Sequence, residues 1–272
     1  MTISPLLDRY ERTTFTHDGK TRAVFRRGEG PAVIVMAEMP GISPKVLEFA
    51  DRVVDIGCTA VVPHLFGKPG YDTDNAAVPA LLGYMVSSMV PACISREFAT
   101  FGSGRTSPVI DWLRALAAAE HERCGGPGVG AIGMCFTGGF ALAMAADDRL
   151  LAPVLSQPSM PIGGKKSRYG IDCSRADLDR VKERCDADGL KVLGLRFKGD
   201  RFVPAERFQY LRDELGDGFV GVELEDSAAN PAAKMKNPHS VVTEHLVDEP
   251  GTPTRAALDQ VLDLFRTKLL VG

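Results

Sequence analysis

One cysteine in a glycine-rich run, "GVGAIGMCFTGGFALAM" (residues 128–144), carries the clearest chemical signal in the chain. Cys135 has Gly133 two residues before it and Thr137-Gly138-Gly139 just after it. A thiol there fits a nucleophile elbow, a strand–turn–helix in which one residue holds a strained backbone and small neighbours let strand and helix approach. The helix N-terminus stabilises a thiolate through its dipole, and the N–H of Phe136 is expected to face the oxygen of a carbonyl under attack. The same run spells G-x-G-x-x-G at Gly128, Gly130 and Gly133, the spacing of a dinucleotide-binding turn. That reading needs glycines after a strand, where the turn delivers a pyrophosphate to a helix N-terminus. Here they follow the helix "DWLRALAAAEHERC" and the breaker "GGPG", so Gly130 falls inside the strand "VGAI" and the nucleotide spacing reads as chance. Taken alone, Cys135 also fits a buried thiol in a packing contact.

Two further segments bear on the choice. "FKGDRFVP" places Asp200 after the apolar run "KVLGLRF", and "NPHSVV" places His239 in the loop beyond "GFVGVELE". Separately, Asp200 reads as a turn or cap residue and His239 as a loop residue. Both segments fall where a side chain can reach the carboxyl edge of a parallel sheet, the edge on which Cys135 stands. His245, in the same loop, is a second candidate for the base.

The elements that must position these groups alternate. "TTFTHDGKTRAVFRR" reads as an antiparallel hairpin turning at His17-Asp18-Gly19-Lys20. "PAVIVMAE" and "CTAVVP" read as strands buried on both faces, separated by a helix with Ser43 as N-cap and Pro44 at its first position. Ser107-Pro108 opens a second helix, followed by "VGAI" and the helix "TGGFALAMAA". Strands at "LLAPVL", "KVLGLRF" and "GFVGVELE" alternate with helices near 175–186 and 204–215, and "TRAALDQVLDLFRTKLL" closes the chain as a helix. This pattern predicts an α/β fold with a mostly parallel sheet covered on both faces. No repeat or linker divides residues 1–272, so one domain is expected, with a lead-in and hairpin over 1–27. Residues 68–105, with their Leu81, Leu82, Tyr84, Met85 and Met89 cluster, and the loop 157–172 interrupt the rhythm. They are expected either to shape a pocket or to pack an apolar face on the body or on another subunit.

The 272 residues are 44% hydrophobic and 25% charged, with a net charge of -3, which excludes disordered and fibrous classes and supplies no basic field for nucleic acid. Charged residues interrupt the first segment and no stretch approaches a membrane span, so a cytoplasmic protein without membrane contact is expected. The six cysteines form no C-x-x-C pair and have no His at metal-ligand spacing, so neither a zinc site nor any other metal or cofactor is expected.

With these positions together, the chain from about residue 28 onward resembles the dienelactone hydrolase family of α/β-hydrolases, which use cysteine in place of serine. The family's G-x-C-x-G-G is matched by "GMCFTGG", with Thr137 where the first following glycine is usual. Its acid lies in a stretch matched by Gly199, Asp200, Val203 and Pro204, and its histidine in an H-S loop matched at His239. "VMAEMPG" supplies the family's strand-end glutamate as Glu38, with Gly41 after it, and "VVPHLFG" matches at Pro63, Leu65 and Gly67, with His64 read as a structural loop residue. The resemblance implies a Cys135–His239–Asp200 triad that cleaves an ester or enol-lactone through a thioester. It implies oxyanion donors at the N–H groups of Met39 and Phe136, and a Glu38 that swings onto the cysteine when substrate arrives. The family grips its substrate carboxylate with arginines. Thr243 stands at one of these places, and Arg96 and Arg105 are nearby candidates without a motif. The partner implied is a small-molecule ester or lactone, with homo-oligomerisation left open. A thioesterase or other carboxylesterase on the same triad, a nicotinamide-dependent oxidoreductase and a non-catalytic scaffold are the alternatives.

Overall fold

The computed structural model describes residues 2–94, 98, 106–159 and 170–270. Strands β1 (Glu11–His17) and β2 (Lys20–Arg27) pair antiparallel across Asp18-Gly19, whose φ values of 48° and 72° suit a tight two-residue hairpin turn. There follow β3 (Ala32–Met36), α1 (Pro44–Asp55), β4 (Thr59–Pro63), α2 (Val78–Ile94), α3 (Pro108–Cys124) and β5 (Val129–Met134). The second half holds α4 (Gly138–Met144), β6 (Leu150–Ser156), α5 (Arg175–Asp188), β7 (Val192–Phe197), α6 (Ala205–Leu215), β8 (Phe219–Leu224) and α7 (Pro253–Phe265).

All eight strands join one sheet in the order β1-β2-β4-β3-β5-β6-β7-β8, antiparallel through the hairpin and parallel from β4 to β8. The side-chain period of two sorts the core. Ala32, Ile34 and Met36 of β3 pack on the face covered by α3, α4, α5 and α6, whereas Val33 and Val35 pack on the face covered by α1 and α7. That two-sided burial is why the strands read as unbroken apolar runs.

Local signals set the helix ends. Ser43 Oγ accepts the Val46 N–H at 3.3 Å and Pro44 begins α1, whose Val46, Leu47, Phe49, Ala50 and Val53 form the buried stripe. At the amino edge of the sheet, α3, α5 and α6 stop at Gly125, Gly189 and Gly216 and the chain turns back into β5, β7 and β8.

Two details differ from the sequence reading. β5 runs through Gly133 and Met134, two residues beyond "VGAI", because both sit in the parallel ladders to β3 and β6. The chain after Phe265 closes in a wider turn over Arg266–Leu270 instead of continuing as α-helix. Within 68–105 lies α2, a helix without a charged side chain; Tyr84 is buried while Leu82 and Val86 are 57% and 56% exposed. Among the described residues no helix is long and apolar enough to cross a membrane.

Candidate active site

The elbow begins where β5 ends. Cys135 has φ 55°, a left-handed backbone that costs a residue with a Cβ on the order of 1–2 kcal/mol, and it leads through one 3-10 turn, Cys135–Thr137, into α4. The small neighbours are required by contact. A Cβ on Gly133 would lie 2.0 Å from the Thr137 carbonyl oxygen, and one on Gly138 would lie 2.6 Å from Pro158 Cα. Gly130 sits within β5 against Phe265 of α7, and Gly128 sits against the Arg149 carbonyl, so the glycines of the nucleotide-like spacing serve packing.

Thr137, fully buried, clips the turn to the sheet. Its hydroxyl accepts the Met134 N–H at 2.8 Å and donates to the Met36 carbonyl at the end of β3 at 3.0 Å. Cys135 is partly buried; its Sγ lies 3.0 Å from Ser159 Oγ, and its carbonyl accepts the Ser159 N–H at 2.9 Å. Phe136 packs edge-on against Phe66 and Phe140.

Asp200 follows β7 and His239 stands in the long loop after β8, both buried, with His239 Nδ1 2.6 Å from Asp200 Oδ2. The other Asp200 oxygen accepts the Phe202 N–H at 2.9 Å, which fixes the carboxylate. Burial alone would lower the imidazole's pKa, but the facing charges of Cys135 and Asp200 outweigh it and hold His239 well above the usual histidine range. Phe202, 60% exposed, sets its ring edge-on to His239 at 5.6 Å. Beneath the loops the buried Arg207 guanidinium donates to the carbonyls of Pro158, Phe202 and Gly170 at 2.6, 2.8 and 2.9 Å. Burial pulls its pKa down to about 10 against the opposing pull of Asp200 and Cys135.

His245 does other work. Its Nδ1 accepts the Ser240 N–H at 3.1 Å and its Nε2 donates to the Met235 carbonyl at 2.9 Å, so the ring braces the loop that carries His239. His64 likewise bonds the Gly67 carbonyl in its own loop, at 2.9 Å.

The sequence profile of the dienelactone hydrolase family matches residues 21–164, over half of the chain. The chain belongs to the dienelactone hydrolase family. No curated protein sequence is similar enough to count as a relative. Solved structures share the α/β-hydrolase fold. A protein assigned as a dienelactone hydrolase from Klebsiella pneumoniae subsp. pneumoniae MGH 78578 is 18% identical with a TM-score of 0.61, the match covering 94% of this chain and 97% of that one. A dienelactone hydrolase-like promiscuous phosphotriesterase, P91, from metagenomic libraries is 17% identical with a TM-score of 0.61, covering 96% and 98%. A cold-adapted esterase from an Arctic intertidal metagenomic library is 17% identical with a TM-score of 0.52, covering 96% and 93%.

Against the family pattern, Glu38 takes a particular place in this dienelactone hydrolase-like chain. Its Oε2 accepts from Gln157 Nε2 at 3.0 Å and from Ser240 Oγ at 2.6 Å, and its Oε1 accepts from the Thr243 hydroxyl. Thr243 is thus a ligand of the glutamate. Gln157, fully buried with φ 37°, also receives the Val241 N–H at 3.2 Å and the Ser156 hydroxyl on its Oε1. The network ties the ends of β3 and β6 to the His239 loop. Beside it, Glu38, Met39 and Ser240 line one end of a cleft that reaches Leu81 and Met85 of α2.

The sequence reading did not find Gln157, Ser159, Ser240 or Arg207. The one local signal was the polar pair Ser156-Gln157 closing an apolar strand. Arg96 and Arg105 lie outside the described residues, as do residues 160–169 of the 157–172 loop.

Proposed function

We propose that this member of the dienelactone hydrolase family cleaves carboxylic esters or enol-lactones through a Cys135 thioester. The observation that carries the reading is a cysteine at positive φ on the end of β5, with a buried His239–Asp200 pair held at 2.6 Å on the same sheet edge. The thiolate of Cys135 attacks the ester carbonyl, and the N–H groups of Met39 and Phe136 are assigned to the oxyanion. Collapse of the tetrahedral adduct breaks the carbonyl–oxygen bond, and His239 gives its proton to the departing alkoxide. The neutral imidazole then takes a proton from water, whose hydroxide attacks the thioester and releases the acid and the thiolate. Asp200 fixes the imidazole and stabilises its charged form.

A thiolate is itself a good leaving group, so forward collapse needs an alcohol that departs easily. Enol and aryl esters are the expected substrates; alkyl esters and amides are expected to be slow. Thr243, in place of an arginine, supports this broader esterase reading over one restricted to carboxymethylenebutenolide. Cys58, Cys124, Cys135, Cys173 and Cys185 are free thiols, which accords with a reducing, cytoplasmic setting.

The test is turnover of p-nitrophenyl acetate. Cys135→Ala and His239→Ala are expected to lose at least about a thousandfold in kcat with little change in melting temperature. His245→Ala is expected to keep the chemistry and lower the melting temperature. Undiminished turnover by Cys135→Ala would overturn the reading. The pH dependence has a definite sign. Because Asp200 and Cys135 raise the histidine, the alkaline limb of kcat/KM, where the imidazolium is lost, falls above the ordinary value of about 6.5. Asp200→Asn removes one of the charges that raise it and moves that limb to lower pH.

A further inference from the structure

The cleft between the end of β3 and the His239 loop has an inventory that decides what it accepts. Its wall is hydrocarbon and thioether: Met39, Pro40, Leu81, Met85 and Met235. Among the described residues its cations are Lys45 and Lys234, and both are committed elsewhere. The Lys234 ammonium donates to the carbonyls of Thr73, Asp74 and Ala76 at 2.7, 2.7 and 3.0 Å, which uses all three of its protons. Lys45 donates to Glu48 at 2.9 Å and has the Asp74 carboxylate at 3.8 Å. Two carboxylates complete the lining. Glu38 accepts three hydrogen bonds, the pattern of an acceptor-only carboxylate, and Glu244 accepts the Lys234 N–H at 2.7 Å. An anion entering here loses water, meets no unengaged cation among the described residues and faces the Glu38 charge; an uncharged chain loses nothing.

Resting on the ester-hydrolase reading, we propose that this cleft receives a neutral, apolar acyl chain and rejects one that ends in a carboxylate. The neutral chain lies along Met39, Leu81, Met85 and Met235, whose unbranched thioethers adapt to chains of different length. Catalytic efficiency therefore climbs from acetate to hexanoate, by up to about fourfold per added methylene. Discrimination against the charged analogue appears mainly in KM, since the charge sits away from the reacting carbonyl.

The experiment compares p-nitrophenyl hexanoate with mono-p-nitrophenyl adipate, which differ at the far end of a six-carbon acyl chain. The expected result is a kcat/KM at least about tenfold higher for hexanoate. Met85→Lys, which adds a cation with no built-in partner, is expected to narrow that ratio at least tenfold. Equal or preferential use of the adipate half-ester overturns the inference and leaves the hydrolase reading intact. Turnover that survives Cys135→Ala overturns the hydrolase reading instead. A measurement without turnover keeps the two apart: in Cys135→Ala protein, hexanamide raises the melting temperature and adipate does not. Any other pattern of stabilisation overturns the inference.

Discussion

At the scale of single residues, Thr137 shows how a departure from a family motif is absorbed. A glycine at this position would let the turn close but would leave the Met134 N–H without its acceptor. The threonine hydroxyl fills that place and reaches across to β3 as well. Thr137→Val keeps the shape and removes both bonds, stranding a buried donor, so it is expected to cost about 1–3 kcal/mol in denaturant unfolding and to lower kcat. Thr137→Ser keeps the hydroxyl and should restore most of both. The triad candidates were legible because each sits next to punctuation the chain spells out: glycines around Cys135, Gly199 before Asp200, Pro238 before His239. Gln157 was not, because its partners Glu38 and Val241 lie 119 and 84 residues away and only the folded sheet edge brings them within reach.

At the scale of elements, the elbow is a contact between β5 and α4 with almost no room. The Cβ tests rank its glycines. Gly133→Ala drives a methyl to 2.0 Å from a backbone oxygen, which has no flexible end to yield, whereas Gly130→Ala meets the ring of Phe265 at 3.0 Å. The first is expected to destabilise by more than about 4 kcal/mol or to prevent folding, the second by about 1–3 kcal/mol, measured by urea unfolding of the two variants. Apolar runs and caps made nearly every strand and helix readable in advance, since two-sided burial and Ser-Pro starts are local signals. The extra residues of β5 were not readable, because Gly133 and Met134 are extended only by virtue of ladders to β3 and β6. Nor was the exposure of one side of α2, a helix apolar all round, for which no periodicity distinguishes a packed face from an open one.

For the molecule as a whole, stability carries a signature of pH that has nothing to do with catalysis. Asp172 is buried beside the start of α4, with the Ser107 hydroxyl 2.8 Å from its carboxylate, and burial pushes its pKa up to about 6. An unfolded aspartate ionises near 3.9, so between about pH 4 and pH 6 the folded chain holds more protons than the unfolded one and stability falls as pH rises. Well above pH 6 the cost is complete, on the order of 3 kcal/mol. Asp172→Asn can keep the Ser107 bond without the charge. It is expected to raise the melting temperature at pH 7.5 and to give little gain at pH 4, in parallel thermal scans. The mostly parallel sheet followed from the alternation of elements, while this penalty comes from the burial of Asp172, which only the folded chain imposes and which the Ser107 bond partly offsets.

The turns that end α3, α5 and α6 give the molecule a polarity. All the proposed chemistry lies at the carboxyl edge of the sheet, while Gly125, Gly189 and Gly216 stand at the opposite edge with open space where a side chain would begin. A tag, an anchoring group or a pair of new chain ends placed at one of these turns would point away from the cleft. The protein could then be fixed to a support with its reactive side facing the solution.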